Sequence, residues 1–403
     1  MDALVTEVVT IQVQHHIAKQ LGRHSAMTGL IAHEWIEARG GSENVLEAIA
    51  ALYPDADLVT PWLNAPQRFA SHRVRELWIA RSPLRGHKAL SVPFLAAAWR
   101  HAVPVDTQYE WVIASSHLFS HHILPRGLNC DAPKLVYAYT PARYIWNPEM
   151  DARGEGVLAR AGSALLRPLD RRRAGEASAV AGISEFVRKR IEDTWQRDAT
   201  VIYPPVETTA IQSVADWRTQ LSSAELALLD TLPSEFILGA SRFIPYKRLD
   251  LVISAGEEVE MPVVLAGGGP EKSRLQAQAS DASVPVMIVD DPSTALLYAL
   301  YQRAAVFVFP PLEDFGIMPV EAMALGTPVV ANAAGGSAET VSEGVSGIHF
   351  ESLVKEDIGR AITQALDLDP EDARRWSGKF SRETFDREFA DWMSRTLQSR
   401  PAR

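Results

Sequence analysis

Glu313 and Glu321 stand eight positions apart in the run Glu-Asp-Phe-Gly-Ile-Met-Pro-Val-Glu, just after Pro310 and Pro311. Gly316 loosens the chain before Pro319, a residue suited to the first turn of a helix, so Glu321 is expected in that helix's opening turns. The amides of Phe315, Gly316 and Ile317 would then face outward at a helix N-terminus, where backbone donors and the dipole favour an anion. Carboxylates at such a place would repel phosphate and suit the hydroxyls of a sugar instead; two solvated glutamates fit the spacing equally well. Arg242 and Lys247, five apart after the apolar run 236–240, could clamp a diphosphate as it leaves, or form a solvated basic loop.

Weaker signals surround these. Gly40 and Gly41 make a turn before a helical pattern, which alone is a tight turn and no more. Gly267, Gly268 and Gly269 lack the G-x-G-x-x-G spacing of a dinucleotide site. Asp290 and Asp291 close an apolar run, and His117 follows another in Ser-Ser-His. Asp55-Ala56-Asp57 is formally a D-x-D, but beside Pro54 it reads as a surface turn. Cys130 is the single cysteine, which excludes an internal disulfide framework and fits a reducing compartment.

The elements that must hold these residues alternate between short apolar runs and longer helical patterns. Strands are expected at 28–32, 111–115, 135–139, 179–183 and 200–203, with helices over 42–52 and 185–195. Pro204 and Pro205 punctuate the chain at mid-length. The alternation restarts with strands at 236–240, 263–266, 286–289, 306–309 and 329–331. Helices are expected over 249–256, from about 271, over 293–302 and 319–324, and in a tail over 376–397. The class is α/β. Residues 1–26 read as an extension outside the core, 27–205 and 206–375 as two doubly wound domains, and 376–403 as a C-terminal helix crossing back to the first. The formal net charge of −10 argues against bulk nucleic-acid binding. There is no run of about 18 apolar residues and no signal-peptide pattern, so a cytoplasmic location is expected.

The stretch from Glu313, with Glu-Ala-Met-Ala-Leu-Gly-Thr-Pro-Val-Val beginning at Glu321, resembles the E-x7-E region of family 4 retaining glycosyltransferases of the GT-B fold. In that fold two Rossmann-like domains face a central cleft. Further matches fall in the expected order: Gly40-Gly41-Ser-Glu, Tyr203-Pro-Pro-Val-Glu, Arg242-Phe-Ile-Pro-Tyr-Lys247-Arg248, Leu265-Ala-Gly-Gly-Gly-Pro270 and Gly335-Gly336-Ser-Ala-Glu339. The resemblance covers residues 28–390 and implies a donor site made of Gly41, Arg242, Lys247, Gly268, Asp290, Glu313, Phe315, Gly316, Ile317 and Glu321. Arg242 and Lys247 would hold the diphosphate, Glu321 the ribose and Glu313 the donor sugar. Where such enzymes carry His-Thr-Pro, this chain has Tyr139-Thr140-Pro141, so Tyr139 stands in for a histidine facing the reacting sugar, or His117 approaches in its place. The implied activity is transfer of a hexose, mannose from GDP-mannose first and UDP-sugars second, onto a saccharide or polyprenyl-diphosphate-linked acceptor. A non-catalytic nucleotide-sugar-binding protein is the rival reading. No cofactor and no metal are implied, because the cation pair takes the metal's place. Two basic stretches, from Arg68 to Lys88 and from Arg160 to Arg173, suggest peripheral contact with the inner membrane face; solvated helix faces account for them as well.

Overall fold

The computed structural model describes residues 29–399, apart from 39, 104–106, 127–128 and 147–156. The expected extension 1–26 lies outside the described residues. The chain divides into two compact units, Val206–Thr384 forming one and the remainder, including the segment that begins at Phe385, the other.

The first unit is built on a parallel sheet of seven strands: β1 Gly29–His33, β2 Asp57–Thr60, β3 Val74–Glu76, β4 Trp111–Ser116, β5 Lys134–Ala138, β6 Ala179–Gly182 and β7 Thr200–Val201. Their order is β3-β2-β1-β4-β5-β6-β7. Strands β1, β4 and β5 are buried throughout, as expected for a parallel sheet covered on both faces. The helices include α1 Gly41–Leu52, α2 Lys88–Arg100, α3 Val157–Ala174 and α4 Glu185–Trp195. Helix α4 starts where the Ser184 hydroxyl accepts the Val187 amide, a side-chain cap.

The second unit carries six parallel strands, β8 Ile237–Ala240, β9 Val263–Gly267, β10 Val286–Asp290, β11 Val306–Phe309, β12 Val329–Asn332 and β13 Gly347–Phe350, in the order β10-β9-β8-β11-β12-β13. Its helices include α5 Leu249–Glu258, α6 Lys272–Asp281, α7 Thr294–Arg303, α8 Ile317–Ala324, α9 Lys355–Ala365 and α10 Pro370–Ser377. Ile237, Val252, Leu265, Val308, Val330 and Ile362 meet in its core.

In each unit the strand order reverses between the first and fourth strands of the set: β1 and β4 in one, β8 and β11 in the other. Loops leaving the carboxyl ends of two such strands diverge to opposite faces and open a crevice, the usual ligand position in an open α/β sheet.

Several expectations are corrected. Strands β2 and β3 were not legible; both are short, and β3 is an edge strand reading Val-Arg-Glu. Asp57 begins β2 rather than closing a turn, and is held by Arg73 and by the Tyr109 hydroxyl at 2.5 Å. Helix α8 begins two residues before Pro319. The tail is not one helix from 376: Trp376 lies in the last turn of α10, which ends at Ser377, and α11, Arg382–Gln398, starts afresh after a 3-10 turn at Gly378–Phe380.

Candidate active site

In the second unit, the β8–α5 loop carries Arg242 and Lys247 and the β11–α8 loop carries Glu313. Because β8 and β11 are neighbours, the two loops flank the crevice at the strand-order reversal. Lys247 Nζ and the Glu313 carboxylate form an ion pair across it. Lys247 is buried, its ammonium also lying 5.7 Å from the Phe309 ring centre at the end of β11. Arg242 is exposed, and its side chain makes no hydrogen bond or ion pair among the described residues. One cation is therefore fixed by an acid and the other is free for an incoming anion.

Backbone packing sets these loops. Phe243 N donates to Gly268 O at 2.8 Å, and Ser241 N to Ala266 O at 3.1 Å. The Gly267–Gly269 turn thus lies directly against the Arg242 loop. Gly267 has φ 141°, and a Cβ there would collide with the Ser241 carbonyl, so only glycine fits. The turn also accepts the Asp291 amide on Gly267 O and the Lys272 amide on Gly269 O, both at 3.1 Å. Gly268 does face Asp290 and Asp291, and Asp290 pairs with Lys272 at 2.8 Å. On the other loop, Gly336 N donates to Glu313 O at 2.7 Å, and Gly335 and Gly336 pack against residues 312–315. Gly316, in the left-handed region at φ 112°, caps the start of α8. The Phe315 side chain is buried against the Phe380 ring, so what it can present to a ligand is backbone.

Glu321 lies on α8 beside α7. Burial pushes its carboxyl up to about 7, opposed only by a hydrogen bond from the Tyr298 hydroxyl at 3.4 Å. The buried Tyr301 hydroxyl has no hydrogen-bond partner. No hydrogen bond or ion pair joins Glu321 to Lys247 or Glu313 among the described residues. The four charged residues therefore resolve into one coupled pair, one free arginine and one carboxyl held apart. A cavity of about 460 Å³ lined by Gln212, Gln302, Leu325 and Arg374 lies at the opposite end of α8 and has no part in this arrangement.

The remaining candidates belong to the first unit, at the reversal between β1 and β4. Tyr139 donates to Ser42 O and meets Ser115 Oγ, both at 3.0 Å. Burial raises its pKa far above that of a free phenol, so it ties the start of α1 in place and cannot exchange a proton near neutrality. Burial lowers His117 to about 4, and its Nδ1 has no partner, leaving a neutral ring able to hydrogen-bond. Gly41 opens α1, but the Glu43 carboxylate already fills the space beside Gly40, bonded by Ser42 Oγ at 2.8 Å and the Glu37 amide at 3.2 Å. An acid at that helix N-terminus disfavours a diphosphate there; a hydroxyl-bearing ligand would not meet that repulsion.

Sequence reasoning missed His33, the last residue of β1, and Glu34, which follows it. His33 Nδ1 meets Ser115 Oγ at 3.0 Å, while its Nε2 is buried without a partner. Glu34 Oε1 accepts the amides of Leu118, Phe119 and Ser120 at 3.0, 2.8 and 2.8 Å, yet burial outweighs these bonds and raises the carboxyl to about 7. The available signal was two ionisable residues closing an apolar strand run. Also missed was Asp170, which accepts Trp146 Nε1, Trp195 Nε1 and His122 Nε2 at 2.8, 2.7 and 2.9 Å, with His121 Nε2 at 3.0 Å. Of these, His121, His122 and Asp170 have the proximity of metal ligands. The N–H donors around the carboxylate account for them as a buried hub joining α3, α4 and the turn after β4.

The family model for glycosyl transferases group 1 matches residues 230–381, a span that includes both loops of the crevice. Residues 230–381 are thus similar to that family, and the chain has the GT-B fold. The GDP-mannose-dependent alpha-(1-6)-phosphatidylinositol monomannoside mannosyltransferase of Mycolicibacterium smegmatis is 30% identical over 213 residues, 49% of this chain and 55% of that protein. The D-inositol 3-phosphate glycosyltransferase of Corynebacterium aurimucosum is 28% identical over 207 residues, 47% of this chain and 49% of that one. The chain thus spans about half the length of the curated relatives it matches. Among solved structures, sucrose-phosphate synthase from Thermosynechococcus elongatus superposes with a TM-score of 0.69 at 20% identity, over 92% of this chain and 100% of that one. HepE from Anabaena, in complex with UDP and glucose, gives 0.66 at 19% identity, over 91% and 99%. At these identities the likeness is one of fold.

Proposed function

We propose that this protein is a retaining glycosyltransferase that moves a hexose from a nucleotide-sugar to a saccharide or lipid-linked saccharide. The observation that carries this reading is the Lys247–Glu313 pair across the strand-order reversal of a group 1 glycosyltransferase domain, with Arg242 free on the same loop as the lysine. A diphosphate entering the crevice meets two cations and the amides at the start of α8. These stabilise the charge that develops as it departs. Lys247 exchanges its carboxylate partner for phosphate, and Glu313 is released to accept hydroxyls of the donor sugar. The acceptor hydroxyl attacks from the face the diphosphate leaves, and a leaving phosphate oxygen takes its proton. No metal and no cofactor enter this scheme. Glu321 serves the ribose.

The donor read here is GDP-mannose, supported by the mannosyltransferase among the relatives; UDP-sugars are the second reading. The acceptor is a polyprenyl-diphosphate-linked saccharide reached by peripheral contact with a membrane. No helix among the described residues is long and apolar enough to cross one. Incubation with labelled GDP-mannose and with UDP-sugars, in the presence of a chelator, tests the scheme. Slow release of nucleotide and free sugar from one donor without acceptor, and faster nucleotide release with the label carried onto acceptor when one is added, is the expected result. Tight donor binding with no turnover, even with lipid-linked acceptor, would make the chain a binding protein. Glu313→Gln is expected to cut turnover about a hundredfold or more, within the range for loss of a group acting in the transition state, while donor affinity changes little. A fully active variant removes Glu313 from the chemistry.

A further inference from the structure

The chain holds 50 acidic residues in 403 and a net charge of −10, yet residues 77–100 contain no Asp or Glu and carry Arg81, Arg85, Lys88 and Arg100. The segment folds as the 3-10 turn Trp78–Arg81 followed, after a short link, by α2. Helix α2 buries one side through Ser91, Leu95, Ala98 and Trp99. Its other side presents Ala89, Leu90, Pro93, Phe94 and Ala97, all exposed and all apolar. Leu90 is 64% exposed and Phe94 46%, and the Trp78 ring, 52% exposed, meets that of Phe94 edge-on at 6.4 Å. Single exposed apolar side chains are ordinary, but a contiguous row with two aromatics marks an interaction surface.

The chemistry of its rim selects the partner. Arg81 is exposed and makes no ion pair among the described residues. Arg85 and Lys88 lean on Glu76 and Glu37 at 3.0 and 2.9 Å, with their side chains still 41% and 40% exposed. Pairs this exposed contribute about 0–1 kcal/mol and yield readily to phosphate. The apolar row lies along the outer side of one helix and stands out as a ridge. Such a ridge fits a fluid apolar slab bordered by anionic groups: the helix lies in the plane of the interface, tryptophan sits at headgroup depth, and arginine and lysine reach the phosphates. Other cations expected to serve a membrane are engaged internally, since Arg68 pairs with Glu47 at 2.6 Å, Arg173 with Glu176 at 2.8 Å, and Arg171 donates to Thr194 O at 2.9 Å.

We propose that the exposed face of α2, with Trp78 and Arg81, docks this protein on a bilayer containing anionic phospholipid. This deepens the membrane contact proposed above by assigning it to one surface, and it does not depend on which sugar is transferred. The test is co-sedimentation of the full chain with phosphatidylcholine vesicles, with and without phosphatidylglycerol. The wild type is expected to pellet with the anionic vesicles and to be released by salt. The double variant Leu90→Glu/Phe94→Glu should lose about tenfold or more of that binding, and Arg81→Glu should lose the preference for anionic lipid. Far-ultraviolet circular dichroism and donor hydrolysis in solution, unchanged in these variants, separate loss of docking from loss of fold or of activity. Equal pelleting of the double variant overturns the proposal. So does a wild type that ignores the vesicles but forms dimers by light scattering that the double variant abolishes, because the face then belongs to a second copy of the chain.

Discussion

At the scale of single residues, Glu321 is the most informative group in the second unit, because burial holds its carboxyl at about 7. Near neutrality it is divided between the acid and the anion. A ribose donates two hydroxyls, which favours the anion, so donor binding must first remove the proton wherever it is still held. Below pH 7 that step opposes binding, and above pH 7 it disappears. Donor affinity measured calorimetrically is therefore expected to be about tenfold weaker at pH 6 than at pH 8, and Glu321→Gln should flatten the profile. A slope that persists in the variant assigns the titration elsewhere. The sequence disclosed the types of Glu313, Glu321, Arg242 and Lys247, but not that only Lys247 and Glu313 touch. Their contact depends on β8 and β11 being neighbours, and chain order places three strand–helix crossings between those strands. Tyr139 was legible as a departure from the expected histidine. Its role as a tether for α1 was not, since both hydroxyl partners, Ser115 and Ser42, are distant in sequence.

At the scale of elements, the loops of the crevice are held by backbone laid on backbone, with glycine where a side chain would intrude. Gly336 makes the clearest test. Its conformation is ordinary, at φ −68° and ψ −25°, so alanine adds no backbone strain. The new Cβ would however press on the Asp314 carbonyl and the Phe315 Cα, neither of which can swing aside as a side chain could. Gly336→Ala is expected to cost about 1–3 kcal/mol and to displace Glu313, lowering turnover by about ten- to a hundredfold. Gly378→Ala, with nothing within 4 Å of the added carbon, is the matched control. Urea unfolding and steady-state kinetics on the two variants distinguish a misplaced loop from general damage; an active Gly336→Ala enzyme would show that the contact does not position the acid. Strands that run through the core were legible because burial on both faces demands an unbroken apolar run, as in Val306–Phe309. Edge strand β3 has only partly buried or exposed residues and leaves no such run. The interruption between α10 and α11 was hidden because Trp376, Phe380 and Phe385 continue an apolar pattern through the turn.

At the scale of the molecule, the last segment of chain is structural material for the first unit although it follows the second in sequence. Phe385, Phe389 and Met393 of α11 are buried, and Phe389 packs against Tyr137 and Tyr53 at ring distances of 5.7 and 6.4 Å. Tyr137 lies in β5 and Tyr53 closes α1, so one phenylalanine joins the sheet to the helix that Tyr139 also tethers. Removing its ring leaves a cavity among the four rings it meets, Tyr53, Tyr137, Phe385 and Trp392, that cannot collapse without moving the sheet. Phe389→Ala is expected to cost about 3–5 kcal/mol. The two units have separate cores, so the loss should be local in hydrogen exchange: amides of β1, β4 and β5 lose protection while those of β8, β9 and β11 keep theirs. Equal loss in both sheets would mean that the chain unfolds as one cooperative body. In that case α11 would contribute to the stability of the donor crevice as well, even though none of its residues beyond Thr384 belongs to the unit that carries it.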